Sequence, residues 1–401
     1  MTTVAEAEAL IAARIERWPA ARVALADATG RVLAETVRAE RDLPPFDRVT
    51  MDGIAIASSA FAEGRRQFRI AAIQAAGEPA ASLVSPDACI RIMTGAVRPE
   101  HADAVIPIER VQIDGDVASV DDAAVVSPGR FIHAQGGDRK AGDVVLEPGT
   151  VVGPAEAAVL ASAGCADVAV AYKPSVAVVS TGDELVGVDQ RELAPHQIRS
   201  SNDYAVAASL TRAGVGECHR AMLPDDPDTI LASVRELHDR HDVMILSGGV
   251  SMGEFDFVPA ALETLGAELV FHRIAQKPGR PMWFGISAAG KPIFALPGNP
   301  VSTLLCMTRY VVPALRAAAG LNAPAPEFAR LTADVDGPAD MTYFVPVVLS
   351  WDNAQAVELA EPRPTNTSGD FSTLAATDGF IELASGETRH PAGTIGRIHR
   401  W

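Results

Sequence analysis

The sequence predicts a multi-domain protein of the α/β plus β class. Three observations carry this. The chain has 401 residues, more than one hydrophobic core organises. From Pro174 to Gly320, short apolar runs alternate with helical segments, the pattern of a mainly parallel sheet covered on both faces. On either side, residues 48–137 and 328–401 read as short strands separated by turns, the second set fitting a small β-barrel.

In chain order, Val4, Leu10, Ile11 and Ile15 fall near helical spacing and predict an amphipathic helix over residues 2–17, ended by Trp18-Pro19. Residues 23–37 read as a strand, a turn at Ala28-Thr29-Gly30, and a short extended or helical piece. The proline-stiffened stretch from Arg41 to Asp47 reads as a domain boundary. Strands are expected at 68–73, 89–93, 104–109 and 117–120, with Asp114-Gly115-Asp116 as a hairpin turn. Residues 138–172 are punctuated by glycine and hold a short helix from Pro154 to Ala163. In the alternating region, strands are expected at 175–180, 243–246, 269–274 and 292–296. The helices between them are expected at 202–213, 230–241, 259–265 and 301–319, three of them stopped by Gly214, Gly266 and Gly320. Residues 322–327 read as a linker, and strands follow at 343–349, 356–359, 380–383 and 394–398.

Composition excludes several functions. The formal charge of −17 argues against a nonspecific nucleic-acid or anionic-membrane binder. No apolar run is long enough to span a membrane, and Met1 to Trp18 lacks the pattern of a signal peptide. Cys89, Cys165, Cys218 and Cys306 are scattered without a Cys-x-x-Cys, which suits a reducing, cytoplasmic setting and offers no zinc spacing.

Four loops that follow strands carry the chemistry. In Ser247-Gly248-Gly249-Val250-Ser251-Met252-Gly253-Glu254-Phe255-Asp256, a glycine-rich turn places bare N–H groups at the sheet's carboxyl edge. Phosphate or another oxyanion fits there, and the acids beside it suit a divalent ion; a tight turn with solvated acids is the other reading. Ser180-Thr181-Gly182-Asp183-Glu184 offers the same elements. In Pro297-Gly298-Asn299-Pro300-Val301-Ser302, Asn299 reads as the cap of the next helix, with Pro300 at its first position. Lys277-Pro278-Gly279-Arg280 puts two cations on a stiffened loop, which suits neutralisation of an anionic substrate. Thr50-Met51-Asp52-Gly53, Arg91-Ile92-Met93-Thr94-Gly95 and Gly136-Gly137-Asp138 read as turns with one small polar group each.

Taken in this order, the peptides resemble the molybdopterin molybdenumtransferases, called MoeA in bacteria and corresponding to the gephyrin E domain in animals. The resemblance runs from Pro-Pro-Phe-Asp-x-x-x-Met-Asp-Gly at 44–53 to Asn-x-Ser-Gly at 366–369. It includes Ser-Thr-Gly-Asp-Glu-Leu, Ser-Gly-Gly-Val-Ser-x-Gly-x-x-Asp, Lys-Pro-Gly-x-Pro and Leu-Pro-Gly-Asn-Pro-Val-Ser. It implies an N-terminal helix over 1–18 and a linking domain over 19–41 and 138–172, interrupted by an inserted mainly-β domain at 42–137. A MogA-like α/β molybdopterin-binding domain at 173–322 and a C-terminal β-barrel at 323–401 would follow. The implied assembly is a homodimer, with each active site between the α/β domain of one subunit and regions of the other.

The implied reaction is magnesium-dependent insertion of molybdenum: adenylylated molybdopterin and molybdate give the molybdenum cofactor and AMP. A MogA-like adenylyltransferase would be a further partner. Carried over by motif, Asp52, Thr94 and Asp138 would serve the cleft from the inserted and linking regions. Glu184, Asp225 and Asp256 would be the acids of the α/β domain and the magnesium ligands. Ser180, Thr181, Gly182, Ser247, Gly248, Gly249, Ser251, Gly253, Pro297, Gly298, Asn299 and Pro300 would bind substrate. Lys277 and Arg280 would serve pterin phosphate and molybdate, with Ser302 and Ser368 as hydroxyls near the oxyanion.

The chain departs from this pattern in places. Arg280 stands where Lys is usual, Thr50 where Ser is usual and Ile54 where an aromatic is usual. Thr342-Tyr343-Phe344-Val345-Pro346 lacks the Arg that relatives carry there, and Arg363 is a candidate substitute. Two rival functions share the fold: a non-catalytic pterin-binding or scaffold protein, and an insertase for another oxyanion such as tungstate.

Overall fold

The computed structural model describes residues 1–250, 257–322 and 324–401. Three six-stranded sheets dominate the described residues. The central one runs, in spatial order, Glu217–Leu223, Ser175–Thr181, Val243–Ser247, Pro292–Leu296, Trp283–Ile286 and Glu268–His272. The first four strands are mutually parallel, and the last two are antiparallel additions.

The apolar runs fix both faces of this sheet, because successive strand residues point to opposite sides. Val176, Val178, Ile245, Phe294 and Leu296 join one core with Val206, Leu210 and Leu305. Val179, Met244, Leu246, Ile293 and Ala295 join the other with Ile230, Val234 and Leu262. Each fully buried aliphatic or aromatic side chain contributes about 1.5–3 kcal/mol. Parallel register then brings Thr181 opposite Leu223, Ser180 opposite Ser247 and Ser247 opposite Leu296, so these strands end at one edge.

Two strands of this sheet escape the sequence pattern. Glu217–Leu223 is an edge strand with much of its polar length exposed, so it lacks an apolar run. Trp283–Ile286 is only four residues long and includes Gly285, where a Cβ would meet the Glu268 carbonyl oxygen at 2.4 Å. The helix expected over 301–319 is Pro300–Cys306 and Val312–Ala318, joined by a π turn at Met307–Val311. Pro313 has no N–H for the regular ladder, and a π turn is one way to absorb that loss.

The N-terminal helix is Val4–Arg14, shorter than the expected 2–17. Thr3 starts it with a reciprocal cap: Glu6 N–H donates to Thr3 Oγ1 at 3.2 Å, and Thr3 N–H donates to Glu6 Oε2 at 2.8 Å. It ends before Trp18-Pro19, where Ile15 turns extended. Val4, Ala7 and Ile11 enter the core of the α/β layer.

Ala20–Ala24 pairs with Asp167–Ala171, and Val37–Arg38 with Val144–Leu146, around a core of Leu33, Val37, Leu160, Val168 and Val170. The chain leaves this layer after Arg38 and returns at Val144. Between them lies the second sheet, ordered Ala104–Pro107, Gly53–Ile56, Ala88–Ile92, Gln67–Gln74, Val117–Val120 and Val111–Asp114. Gly53–Ile56 is interior to it, although Thr50 to Gly53 reads as a turn in sequence. A Cβ at Gly53 would lie 1.9 Å from the Ile106 carbonyl oxygen, so only glycine fits.

In the C-terminal part, Thr342–Asp352, Val357–Pro362, Glu327–Leu331, Ile395–Arg400 and Gly379–Leu383 pair in that order, and the last pairs back with the first. This closes a five-stranded barrel around Leu331, Val345, Val347, Ala360 and Ile381. Gln276–Lys277 adds alongside, with Lys277 in register with Tyr343. That short pairing stitches the basic loop of the α/β layer to the barrel.

Candidate functional site

At the carboxyl edge of the central sheet, three of the loops pack backbone against backbone. Gly182 N–H donates to Leu223 O at 3.2 Å, and Gly248 N–H to Leu296 O at 3.2 Å. Gly248 and Gly249 have φ of +97° and +64°. A Cβ on Gly248 would meet Thr181 O at 2.6 Å, and one on Gly298 would meet the Gly248 Cα at 3.4 Å. These glycines therefore serve close approach as well as turn geometry.

Asn202, at the start of the helix Asn202–Ala213, bolts this edge together. Its Nδ2 donates to Ser247 Oγ at 2.8 Å and to Gly298 O at 2.7 Å. Thr303 Oγ1 donates to Pro297 O at 2.6 Å from the other side. Ser180 Oγ, Thr181 Oγ1 and Asn202 Oδ1 are buried without a hydrogen-bond partner among the described residues. Buried polar groups are nearly always paired, so this concentration singles out the edge. The sequence pattern places Asn202 and Thr303 in helices only. Each stands in the first turn of a helix that follows an edge loop, which is the signal that could have found them.

A cleft of about 350 Å³ opens beside this edge, between the α/β layer and the barrel. Lys277, Arg280, Pro297, Asn299, Ser302 and Ser368 all line it, so the structure brings together these expected residues from three separate stretches. Neither Lys277 nor Arg280 has an ion-pair partner among the described residues, unlike Arg309 or Arg400. Lys277 Nζ lies 5.6 Å from the centre of the Tyr343 ring, whose hydroxyl burial pushes up from its ordinary pKa. The basic loop is held from behind by Gly279, at φ +86°, whose Cβ position is 3.0 Å from the buried Cys306 Sγ.

Tyr343, Thr365, Asn366 and Thr367 also line the cleft and were not expected from sequence. Tyr343 lies on a barrel strand, and the loop carrying the other three is built around Asp370, which accepts from Asn366 N–H at 3.2 Å and from the hydroxyls of Ser372 and Thr373, each at 3.0 Å. Those bonds, the Asn366 backbone bond foremost, hold Asp370 below its ordinary pKa.

Two expectations are corrected here. Asn299 stands at the N-cap with Pro300 first in the helix, as expected, but its side chain makes no cap bond. Its Nδ2 donates instead to Ser368 Oγ at 2.7 Å, across to the barrel. Arg363, the candidate substitute cation, does not line the cleft: its guanidinium pairs with Glu361 at 2.9 Å, and its backbone N–H reaches Pro346 O at 2.7 Å. Pro346 itself lines the cleft.

The remaining expected residues fall into other groups. Thr94 N–H and Oγ1 both donate to Asp52 Oδ1, at 2.7 and 2.6 Å. The Thr94 hydroxyl, then its N–H, draws Asp52 below its ordinary pKa. Asp138 Oδ1 lies 3.1 Å from His133 Nε2. Asp52, Thr94 and Asp138 do not line the cleft. Asp183 Oδ1 accepts from Asp225 N–H at 3.0 Å, so the loops holding Glu184 and Asp225 abut. Ser251, Gly253 and Asp256 lie outside the described residues, and among those described no three acids, histidines or cysteines converge as a metal set.

A parallel-sheet edge with glycine turns, with buried hydroxyls and two cations that have no partners among the described residues, defines an α/β protein with the features of an anion site between two layers. Comparison with known proteins narrows the class. Residues 2–164 match the MoeA N-terminal region (domain I and II), 177–317 a probable molybdopterin binding domain, and 329–395 the MoeA C-terminal region (domain IV). The molybdopterin molybdenumtransferase of Synechocystis sp. is 39% identical over 402 residues, covering 100% of both chains. That of Bacillus subtilis is 34% identical, covering 94% of this chain and 88% of its own. The crystal structure of the molybdopterin biosynthesis MoeA protein of Pyrococcus horikoshii superposes with a TM-score of 0.83 at 28% identity, covering 100% of both chains. The chain belongs to the molybdopterin molybdenumtransferase family. It is a transferase of molybdenum cofactor biosynthesis.

Proposed function

We propose that the chain is a molybdenum insertase that takes adenylylated molybdopterin and molybdate and releases the molybdenum cofactor and AMP. The observation that carries this is the cleft in which Lys277 and Arg280, without ion-pair partners among the described residues, face the hydroxyl-bearing Ser302 and Ser368. Molybdate is a tetrahedral dianion. It takes charge-assisted hydrogen bonds from cations and hydroxyl donors, and this cleft supplies both. The glycine turns at 182, 248, 249 and 298, together with Ser251 and Gly253 as the sequence motif implies, take the phosphate-bearing end of the pterin.

Cleavage of the phosphoanhydride gathers negative charge on the oxygens being parted, so fixed positive charge lowers its barrier most. Lys277 and Arg280 supply that charge within the cleft. Magnesium would be held by Glu184, Asp225 and Asp256. Their carboxylates are the hard oxygen donors it requires, and the abutting loops that carry Glu184 and Asp225 fit that role. When bound, it supplies further neutralisation of phosphate oxygens. In this reading the protein works as a cytoplasmic homodimer, in which Asp52, Thr94 and Asp138 serve the cleft of the partner subunit. A MogA-like adenylyltransferase supplies its adenylylated substrate.

The test is release of AMP by the purified protein from adenylylated molybdopterin. Release should require magnesium and be promoted by molybdate, with tungstate competing more weakly. Binding of the nucleotide without any AMP release would overturn the reading and leave a pterin-binding scaffold.

A further inference from the structure

The barrel's Ser368 is held at two points by the loop that leads into the helix at Pro300. Val301 N–H donates to Ser368 O at 3.1 Å, and Asn299 Nδ2 donates to Ser368 Oγ at 2.7 Å. The first bond fixes where the residue sits. The second decides what its hydroxyl does. An amide N–H only donates, so the Ser368 oxygen accepts, and its own proton has no acceptor among the described residues. Asn299 and Ser368 both face the cleft that holds Lys277 and Arg280. An oxyanion there only accepts, so it is the natural taker of that proton.

We propose that Asn299 is a positioning residue that orients the Ser368 hydroxyl as a hydrogen-bond donor to the oxyanion substrate. It acts through Ser368 rather than on the substrate directly. This replaces the helix-capping role its place in sequence suggests, for no side-chain cap bond is made. The arrangement also makes the oxyanion site depend on the docking of barrel and α/β layer. The barrel brings the hydroxyl, and the α/β layer sets its direction. The inference rests on the insertase reading above.

Molybdate-stimulated AMP release tests it, at saturating adenylylated molybdopterin, with N299A, N299D, S368A and the N299A/S368A double variant. N299A should raise the molybdate KM about tenfold, the scale of one hydrogen bond to a charged group, with a smaller change in kcat. The KM for adenylylated molybdopterin should stay within twofold. N299D should be worse than N299A, because its carboxylate accepts the Ser368 proton and adds negative charge. The double variant should be no worse than S368A alone, since Asn299 works through that hydroxyl. Additive losses in the double variant would overturn the proposal, as would an equal loss in both substrate KM values. If the unaltered protein shows molybdate dependence and N299A matches it, only this inference falls. If the unaltered protein shows no molybdate dependence at all, the insertase reading falls with it.

Discussion

Arg309 Nε donates to Glu382 Oε2 across 3.1 Å, joining the π turn of the last long helix to the barrel. The same guanidinium, 4% exposed, donates from Nη2 to Glu8 of the N-terminal helix at 2.8 Å. His399 Nε2 meets Glu382 at 2.7 Å from within the barrel. One buried cation thus ties three parts of the chain, two of which, the α/β layer and the barrel, form the cleft. Breaking a buried pair from one side leaves an uncompensated charge, at a cost of about 3–5 kcal/mol. R309M should lower stability by that order in urea denaturation, while E8Q, whose carboxylate is half exposed, should cost far less.

The same cluster sets an acid limit on stability. For Glu382, burial pushes the pKa up, but the His399 hydrogen bond and the Arg309 charge outweigh it, and the net shift is downward. For His399, burial drives the pKa below its ordinary value. Both groups have folded values below their unfolded ones, so both bind fewer protons when folded. Their contributions are present above the unfolded values, about 6.5 for His and 4.3 for Glu, and fade as pH falls below each. Stability measured from pH 8 to 4 should decline first below about pH 6.5. H399F should reduce that first step, to which His241, also held low by burial, contributes as well, and leave the later carboxylate step in place.

The central sheet is legible in the sequence because buried parallel strands leave uninterrupted apolar runs, such as Val176 to Val179 and Val243 to Leu246. Glu217–Leu223 and Gly53–Ile56 are not legible there, for opposite reasons. The first is too polar, because it is an edge; the second is too short and too glycine-bound to stand out. In the candidate site, Lys277, Arg280 and Ser302 were legible as loop residues after strands. The bond from Asn299 to Ser368 was not, since it spans 69 positions and forms only when the barrel docks. Asn202 was hidden in the same way, its role visible only once Ser247 and Gly298 are brought together.

The Asp52–Thr94 pair gives a test of shared active sites. In the proposed dimer, Asp52 of one subunit serves the cleft of the other. D52N and K277A should each abolish most AMP release as homodimers. After mixing and reassembly at equal amounts, half of the dimers carry both variants, and each of those has one intact site. Activity should return to about a quarter of the unaltered level, by the statistics of subunit mixing under closed twofold pairing. No recovery, despite exchange confirmed by differently tagged subunits, would place Asp52 with the cleft of its own chain or outside the site.

Gly248 offers a stability test of the sheet edge. At φ +97° a side chain is strained, and its Cβ would press on Thr181 O at 2.6 Å, an atom of backbone that cannot swing aside. G248A should cost about 1–3 kcal/mol in denaturant unfolding and reduce pterin binding. G290A, at φ +76° with nothing near its Cβ position, is the control: it carries backbone strain alone and should leave pterin binding intact.

Pro346 belongs to the segment Thr342 to Pro346, where the family resemblance implies an Arg that this chain lacks, and a cation can be introduced there. Pro346 lies on the barrel strand Thr342–Asp352 and lines the cleft, opposite Phe380 in the strand register. Its carbonyl accepts from Arg363 N–H at 2.7 Å, a backbone bond that any residue at 346 can keep. Arg363 itself turns its guanidinium to Glu361, so the cleft draws no charge from it. R363A should therefore leave the molybdate dependence of AMP release unchanged. P346R should add a cation to a cavity that already holds Lys277 and Arg280. A charge-assisted contact contributes about 1.5–3 kcal/mol, so the molybdate KM should fall by about tenfold or more. The gain should shrink at high salt if the new guanidinium remains partly solvated. An unchanged or higher KM in a folded P346R protein would mean that a third cation is repelled by the first two. In that case this chain has settled on two cations and oriented hydroxyls as its complete oxyanion site.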